Sequence, residues 1–149
     1  MPLAEVEGVE VSRVLVIDDE AVIGAVLRYA LLDKGHDTLV ADGGRTGIDA
    51  ARNEHPDAIV LDLMMPEVTG HDVLEILRDD EATRDVPILV LTAVTMAAER
   101  EQCMAEGADL VMTKPFDPRE VATVVDGLLN VNASTFPSTS SGWPGRSRG

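Results

Sequence analysis

The sequence has a single cysteine, Cys103, which excludes an internal disulfide and suits a reducing compartment. Positive charge is scarce. Twelve Lys and Arg stand against 27 Asp and Glu, for a formal net charge of −15. A surface of that sign repels phosphate backbones and anionic lipid, so direct nucleic-acid binding and membrane-surface attachment are not expected. Long apolar runs are missing too: the stretch beginning at Ala21 stops at Arg28, far short of the roughly 18 residues of a membrane span. The first twelve residues are acidic, with neither a basic start nor an apolar segment, so no secretory leader is expected. No glycine-rich phosphate loop occurs, and a bound nucleotide is therefore not indicated. These absences describe a cytoplasmic acidic protein.

What is present is enough for one domain. The 149 residues are 45% hydrophobic, sufficient to bury a core and too apolar for a disordered polyelectrolyte. Short β-branched runs alternate with longer amphipathic stretches. Residues 13–18 (RVLVID), 37–41 (DTLVA), 57–62 (DAIVLD), 88–92 (ILVLT) and 108–113 (ADLVMT) read as strands. Near-continuous apolar strands are those of a parallel sheet covered on both faces. Ile23, Val26, Leu27, Ala30 and Leu31 share one helical face, and Val121, Val124, Val125 and Leu128 share another. The stretches 44–55 and 97–106 read as helices with thin apolar faces. Gly35 and Gly107 stand where left-handed C-terminal residues are expected, and Asp117-Pro118-Arg119-Glu120 predicts a capping box before the last helix. Five strands alternating with five helices predict an α/β fold with helices on both faces. An acidic extension over 1–11, a folded domain over 12–130 and a flexible Ser/Thr/Gly/Pro-rich tail or truncated linker over 131–149 complete the expected layout.

Ligands of a parallel α/β sheet bind at the carboxyl ends of its strands, and that is where the polar residues collect. The first strand ends in Asp18-Asp19, the third in Asp62, the fourth in Thr92 and the fifth in Thr113-Lys114-Pro115. One such residue alone would read as a helix cap; four strand ends in agreement read as a site. Two carboxylates about 5 Å apart repel by roughly 3 kcal/mol at an effective dielectric near 20, so either a proton or a cation joins them. Oxygen ligands without His or Cys favour Mg²⁺, with Mn²⁺ as a substitute. A metal, one lysine and a hydroxyl are parts that neutralise a transferring phosphoryl group, and a carboxylate can itself be the acceptor.

The segments VLVIDDE (14–20), VLDLMMPEVTG (60–70), VLTA (90–93) and TKPF (113–116), with 30 residues from Asp62 to Thr92 and 52 from Asp62 to Lys114, resemble the receiver domain of bacterial two-component response regulators, in the manner of single-domain chemotaxis regulators. The resemblance covers about residues 12–130. It implies a flavodoxin-like doubly wound (βα)5 sheet of order 2-1-3-4-5. It further implies that Asp62 is the phosphoacceptor, taking a phosphoryl group from a sensor histidine kinase or histidine phosphotransfer protein. Asp18, Asp19, Asp62 and the backbone carbonyl of Met64 would hold the metal. Lys114 would pair with phosphoryl oxygens, Thr92 would supply the switch hydroxyl, and the Ala93 amide a further donor. Pro115 matches the family's cis peptide position. Such a protein is a signalling switch rather than an enzyme on an external substrate, a monomer or a phosphorylation-dependent dimer that acts on other proteins. A receiver cut from a longer regulator or hybrid kinase, and a phosphorylation-independent scaffold, are the alternatives. A haloacid-dehalogenase-type phosphohydrolase is disfavoured, because Asp18-Asp19-Glu20 is not a D-x-D loop.

Val111 departs from the family pattern, which places Tyr or Phe three residues before the lysine; a β-branched Val cannot act as an aromatic rotor, so a muted output is expected. Met64 and Val94 match the positions flanking the phosphate, where apolar side chains would hinder the attacking water. His36, His55 and His71 lack metal spacing and read as solvated positions. Cys103 reads as a helix packing residue, and Met65, Met96, Met104 and Met112 as core or interface filler.

Overall fold

The computed structural model describes residues 11–93 and 97–132. Strands β1 (Arg13–Ile17), β2 (Asp37–Ala41), β3 (Ala58–Asp62), β4 (Ile88–Thr92) and β5 (Leu110–Thr113) alternate with helices α1 (Ala21–Asp33), α2 (Gly44–Glu54), α3 (Gly70–Arg78), α4 (Ala97–Glu106) and α5 (Pro118–Asn132). The strands form one parallel sheet in the order β2-β1-β3-β4-β5. This is the flavodoxin-like arrangement expected. The order reverses between β1 and β3, which places the carboxyl ends of those two strands side by side.

Alternate residues of each strand point to opposite faces, and each face has its own core. On one side Leu15, Ile17, Ile59, Leu61 and Val90 meet Ile48 of α2, Leu74 and Leu77 of α3, and Cys103 of α4. On the other, Val14, Val16, Val60, Leu89 and Leu91 meet Leu27 and Leu31 of α1 and Val121, Val125 and Leu128 of α5. All five residues of β3 and of β4 are buried, which is why these segments read as unbroken apolar runs. Cys103 is the one fully buried residue of α4, so that helix is indeed thinly held.

Some local expectations change. Val26 lies off the buried stripe of α1 and is exposed. Strand β5 starts at Leu110 rather than 108, because the preceding backbone closes α4 through the Ala108 amide on the Cys103 carbonyl. Gly35 and Gly107 do have positive φ, 92° and 119°. Asp117 caps α5 by accepting from the Arg119 amide at 2.9 Å. The reciprocal capping box forms instead at α3, where Thr69 and Asp72 each accept from the other's amide; an Asp at the third position replaces the Glu or Gln that signals the motif. Met65 lies in the core on the α2–α4 side, with Met104 packed partly buried against it, and Met112 packs partly buried against the core on the α1–α5 side. Val94 and Met96, the extension 1–10 and the tail beyond 132 lie outside the described residues.

A buried ion pair joins the two ends of α3 and β5. Arg78 Nη2 lies 3.0 Å from Asp109 Oδ2, while its other nitrogens donate to the carbonyls of Gly107, Arg84 and Val86. Asp109 in turn accepts from the Ile88 amide that opens β4. The guanidinium thus satisfies several loop carbonyls at once, as its planar fork of donors permits.

Candidate functional site

The site is built from strand ends. Asp18 follows β1, is 2% exposed, and is anchored by its amide on the Ala41 carbonyl. Its Oδ1 accepts from the Glu20 amide at 2.8 Å, while its Oδ2 is buried without a hydrogen-bond partner. Asp62 closes β3 and is equally buried. Lys114, just past β5, donates to Asp62 Oδ1 at 3.0 Å and lies 4.0 Å from Asp18 Oδ2 and 3.8 Å from Glu20. Thr92, the last residue of β4, is buried and sits opposite Thr113 in register. Ala93 and Met64 follow their strands on the exposed side of the same edge. The Lys114–Pro115 peptide is cis. Among the described residues, Asp18, Asp19 and Asp62 bring one carboxylate oxygen each within 4.8 Å of one another.

The local fold forces this convergence. Gly70 opens α3 by donating its amide to the Leu63 carbonyl at 2.9 Å, and a Cβ there would stand 2.5 Å from Leu63 Cα and 2.7 Å from the Asp62 carbonyl oxygen. Only a residue without a side chain lets the helix start so close behind the strand carrying Asp62.

Electrostatics follow from burial. Desolvation pushes Asp18 up to about 6, against the Glu20 amide and Lys114, and with the neighbouring Asp62 adding to the rise. Asp62 is also raised by burial, although Lys114 and the Met64 amide pull it back. For Lys114 burial works downward, but its hydrogen bond to Asp62 and the surrounding carboxylates outweigh it and hold the ammonium charged. One cation faces several acids in a desolvated pocket, and an orphaned carboxylate oxygen points into it. That combination fits a hard divalent ion with oxygen ligands, as Mg²⁺ is.

Sequence reasoning missed two contributors. The Met64 backbone helps to hold down the Asp62 carboxyl, and Glu20 shares Lys114; a backbone contribution leaves no mark in residue identity, whereas Glu20 was visible as the third acid of VIDDE. Two histidines correct the expectation of solvated positions. His36 Nε2 lies 2.6 Å from Asp126 Oδ1, which ties the start of β2 to α5. His71 lies between Glu99 and Glu106 of α4, 2.6 and 2.5 Å from them. His55 alone of the three is exposed, as the left-handed residue ending α2. Val111 is buried opposite Val90 and packs in the same core as Cys103.

A doubly wound α/β domain with an acidic, lysine-bridged pocket at the switch point is the architecture of a receiver. The chain belongs to that family: the response regulator receiver domain model matches residues 14–126. It is 39% identical over 128 residues to the alkaline phosphatase synthesis transcriptional regulatory protein PhoP of Bacillus subtilis, covering 86% of this chain and 52% of that protein. It is 38% identical over 121 residues to the DNA-binding response regulator MtrA of Mycobacterium tuberculosis, covering 81% and 52%. The chain thus spans about half the length of these relatives. Among solved structures, the Francisella response regulator 1452 receiver domain superposes with a TM-score of 0.76 at 30% identity, covering 81% of this chain and 98% of that one. The chemotaxis response regulator CheY4 of Vibrio cholerae gives 0.75 at 28%, covering 81% and 100%. Among the described residues, no helix is long and apolar enough to cross a membrane.

Proposed function

We propose that Asp62 is the phosphoacceptor of a Mg²⁺-dependent switch, charged by a sensor histidine kinase or a histidine phosphotransfer protein. The observation that carries this reading is the 3.0 Å contact between Lys114 and Asp62 beside the orphaned oxygen of Asp18. A carboxylate oxygen of Asp62 attacks the phosphorus of a phosphohistidine; the P–N bond breaks and the imidazole leaves with its electron pair. Asp18, Asp19, Asp62 and the Met64 carbonyl would hold the metal, which when bound supplies positive charge to the transferring phosphoryl oxygens. Lys114 orients and neutralises one of those oxygens, and the Ala93 amide donates to another. The new group adds about −1.5 to −2 charge at the pocket. Thr92, at the end of β4, supplies the hydroxyl that responds and biases the connection into α4. The thin apolar face of that helix suits an element of low local stability.

The output acts on another protein, in the cytoplasm, with the receiver over residues 12–130 and the flanking segments serving as extension and tail. The names of the two relatives describe transcriptional and DNA-binding regulators, and a receiver joined to such a module within a longer chain is the second reading they favour. With Val111 in place of an aromatic, the change at β5 is muted.

Incubation with acetyl phosphate and Mg²⁺, followed by intact mass measurement, tests the core claim. One acid-labile phosphoryl group per chain is expected, lost in Asp62→Asn and in the presence of a chelator. An unmodified wild-type chain would leave the scaffold reading.

A further inference from the structure

Away from the aspartate pocket, α3 and α4 bring together a second set of ligating groups. His71 is the second residue of α3. Glu99, Cys103 and Glu106 recur on α4 at intervals of four and three, which places them on one helical face. One ring nitrogen of His71, one carboxylate oxygen of Glu99 and the Cys103 sulfur lie within 4.8 Å of one another. The two nitrogens of His71 have different neighbours: Nε2 faces Glu99 Oε2 at 2.6 Å, and Nδ1 faces Glu106 Oε1 at 2.5 Å. Glu106 is itself steadied by Gln102 at 3.0 Å.

We propose that His71 Nε2, Glu99 and Cys103 form a zinc site that clamps α3 to α4, with Glu106 as the carboxylate that orients the imidazole. A nitrogen, a carboxylate oxygen and a sulfur form a borderline-soft set, suited to Zn²⁺ and poorly suited to Mg²⁺. A metal-bound histidine commonly donates its other N–H to a carboxylate, which fixes the tautomer, and the Nδ1–Glu106 contact has that form. Three protein ligands leave the fourth tetrahedral position to water. Zinc bonds of about 2.0–2.1 Å need roughly 3.3 Å between Nε2 and the Glu99 oxygen. The present 2.6 Å therefore opens by a rotamer adjustment of Glu99, a partly exposed side chain. In the metal-free protein a proton occupies that position, and burial with two flanking glutamates holds the Cys103 thiol protonated, pushed up to about 11. Zinc binding therefore releases the thiol proton, together with the Nε2 proton where His71 is charged. His71, Glu99 and Glu106 are each about a quarter exposed, so an ion enters from the surface while Cys103 lies at its inner end.

The consequence concerns the thinly packed helix. Cys103 is the sole fully buried anchor of α4; a metal bond through that same residue to α3 would hold the helix in place.

Cobalt titration of the full chain in excess Mg²⁺ reads the site directly. Because Cys103 is the only cysteine, a thiolate-to-cobalt charge-transfer band reports this site alone. The expected result is one band-forming Co²⁺ per chain, displaced by Zn²⁺ and retained in Asp19→Asn. Cys103→Ser should abolish the band, and His71→Gln and Glu99→Gln should each weaken Zn²⁺ binding at least tenfold. Glu106→Gln should keep the band but weaken binding about 10- to 100-fold. Circular dichroism confirms folding of each variant; if Cys103→Ser fails to fold, the two surface variants decide. Absence of the band in the wild type, or Zn²⁺ affinity unchanged by His71→Gln and Glu99→Gln, overturns the proposal.

Discussion

Lys114 Nζ stands 3.0 Å from Asp62 Oδ1 and 4.0 Å from Asp18 Oδ2, so a single ammonium bridges the ends of β1 and β3 from a third strand. The three groups come from positions far apart in the chain, and the parallel register of β1, β3, β4 and β5 brings the strand ends that carry them together. Buried acids raised by desolvation and a lysine held charged by them form one electrostatic unit.

Removing that ammonium leaves two buried carboxylates without their cation. Lys114→Met is expected to lose about 1–3 kcal/mol in chelator, less than for a fully buried pair because Lys114 is partly exposed. Mg²⁺ should stabilise this variant more than the wild type, since metal and ammonium compete for the same oxygens. Thermal melts with and without Mg²⁺ measure both effects; equal Mg²⁺ shifts in the two proteins would contradict the competition.

Gly70 has no room for a methyl group. The atoms facing it are backbone atoms of Leu63 and Asp62, which cannot swing aside as a side chain would. Gly70→Ala is therefore expected to cost about 1–3 kcal/mol by overpacking and to slow modification of Asp62 by shifting the end of β3. Urea unfolding and acetyl phosphate kinetics give the two numbers, and a variant equal to wild type in both would refute the close approach.

The Arg78–Asp109 pair is nearly sealed from solvent. Arg78→Met strands a buried carboxylate and several loop carbonyls, for an expected loss of about 3–5 kcal/mol. Replacing the exposed Arg119, whose ion pair to Asp117 is solvated, should change stability by less than about 1 kcal/mol. Denaturant midpoints for the two variants should rank in that order.

In chelator, the coupling of α3 to α4 should depend on pH. Burial alone would lower His71, but hydrogen bonds from its ring to Glu106 and Glu99, and their charges, raise it above the usual histidine value. A folded value above the unfolded one means that the stabilisation is fully present below the ordinary histidine range and is lost as pH rises through the raised value. His71→Gln should flatten the stability profile across that window. Melting temperatures between pH 5 and 9 (an interval spanning the roughly 6.5 of an unperturbed histidine) check the sign; stability that rises with pH there would refute it.

The pocket residues were legible because chemistry and strand ends coincided. Asp18, Asp62, Thr92 and Lys114 each interrupt or follow an apolar run, and a buried parallel strand tolerates a charge only where it leaves the sheet. The role of His71 was hidden because its partners lie 28 and 35 residues away on another helix. Arg78 was hidden for the same reason, since its satisfied carbonyls belong to loops with no residue-type signature.

The order of apolar runs, their lengths and their terminal acids by themselves determined a five-strand parallel α/β domain with an acidic edge. Hydrophobic periodicity and burial of continuous strands are local properties, written along the chain. Which side chains share a proton or a lysine was decided only by the packing of α3 on α4 and by sheet register. Those distances of a few ångströms depend on how separate elements meet in space, and on the desolvation that meeting imposes.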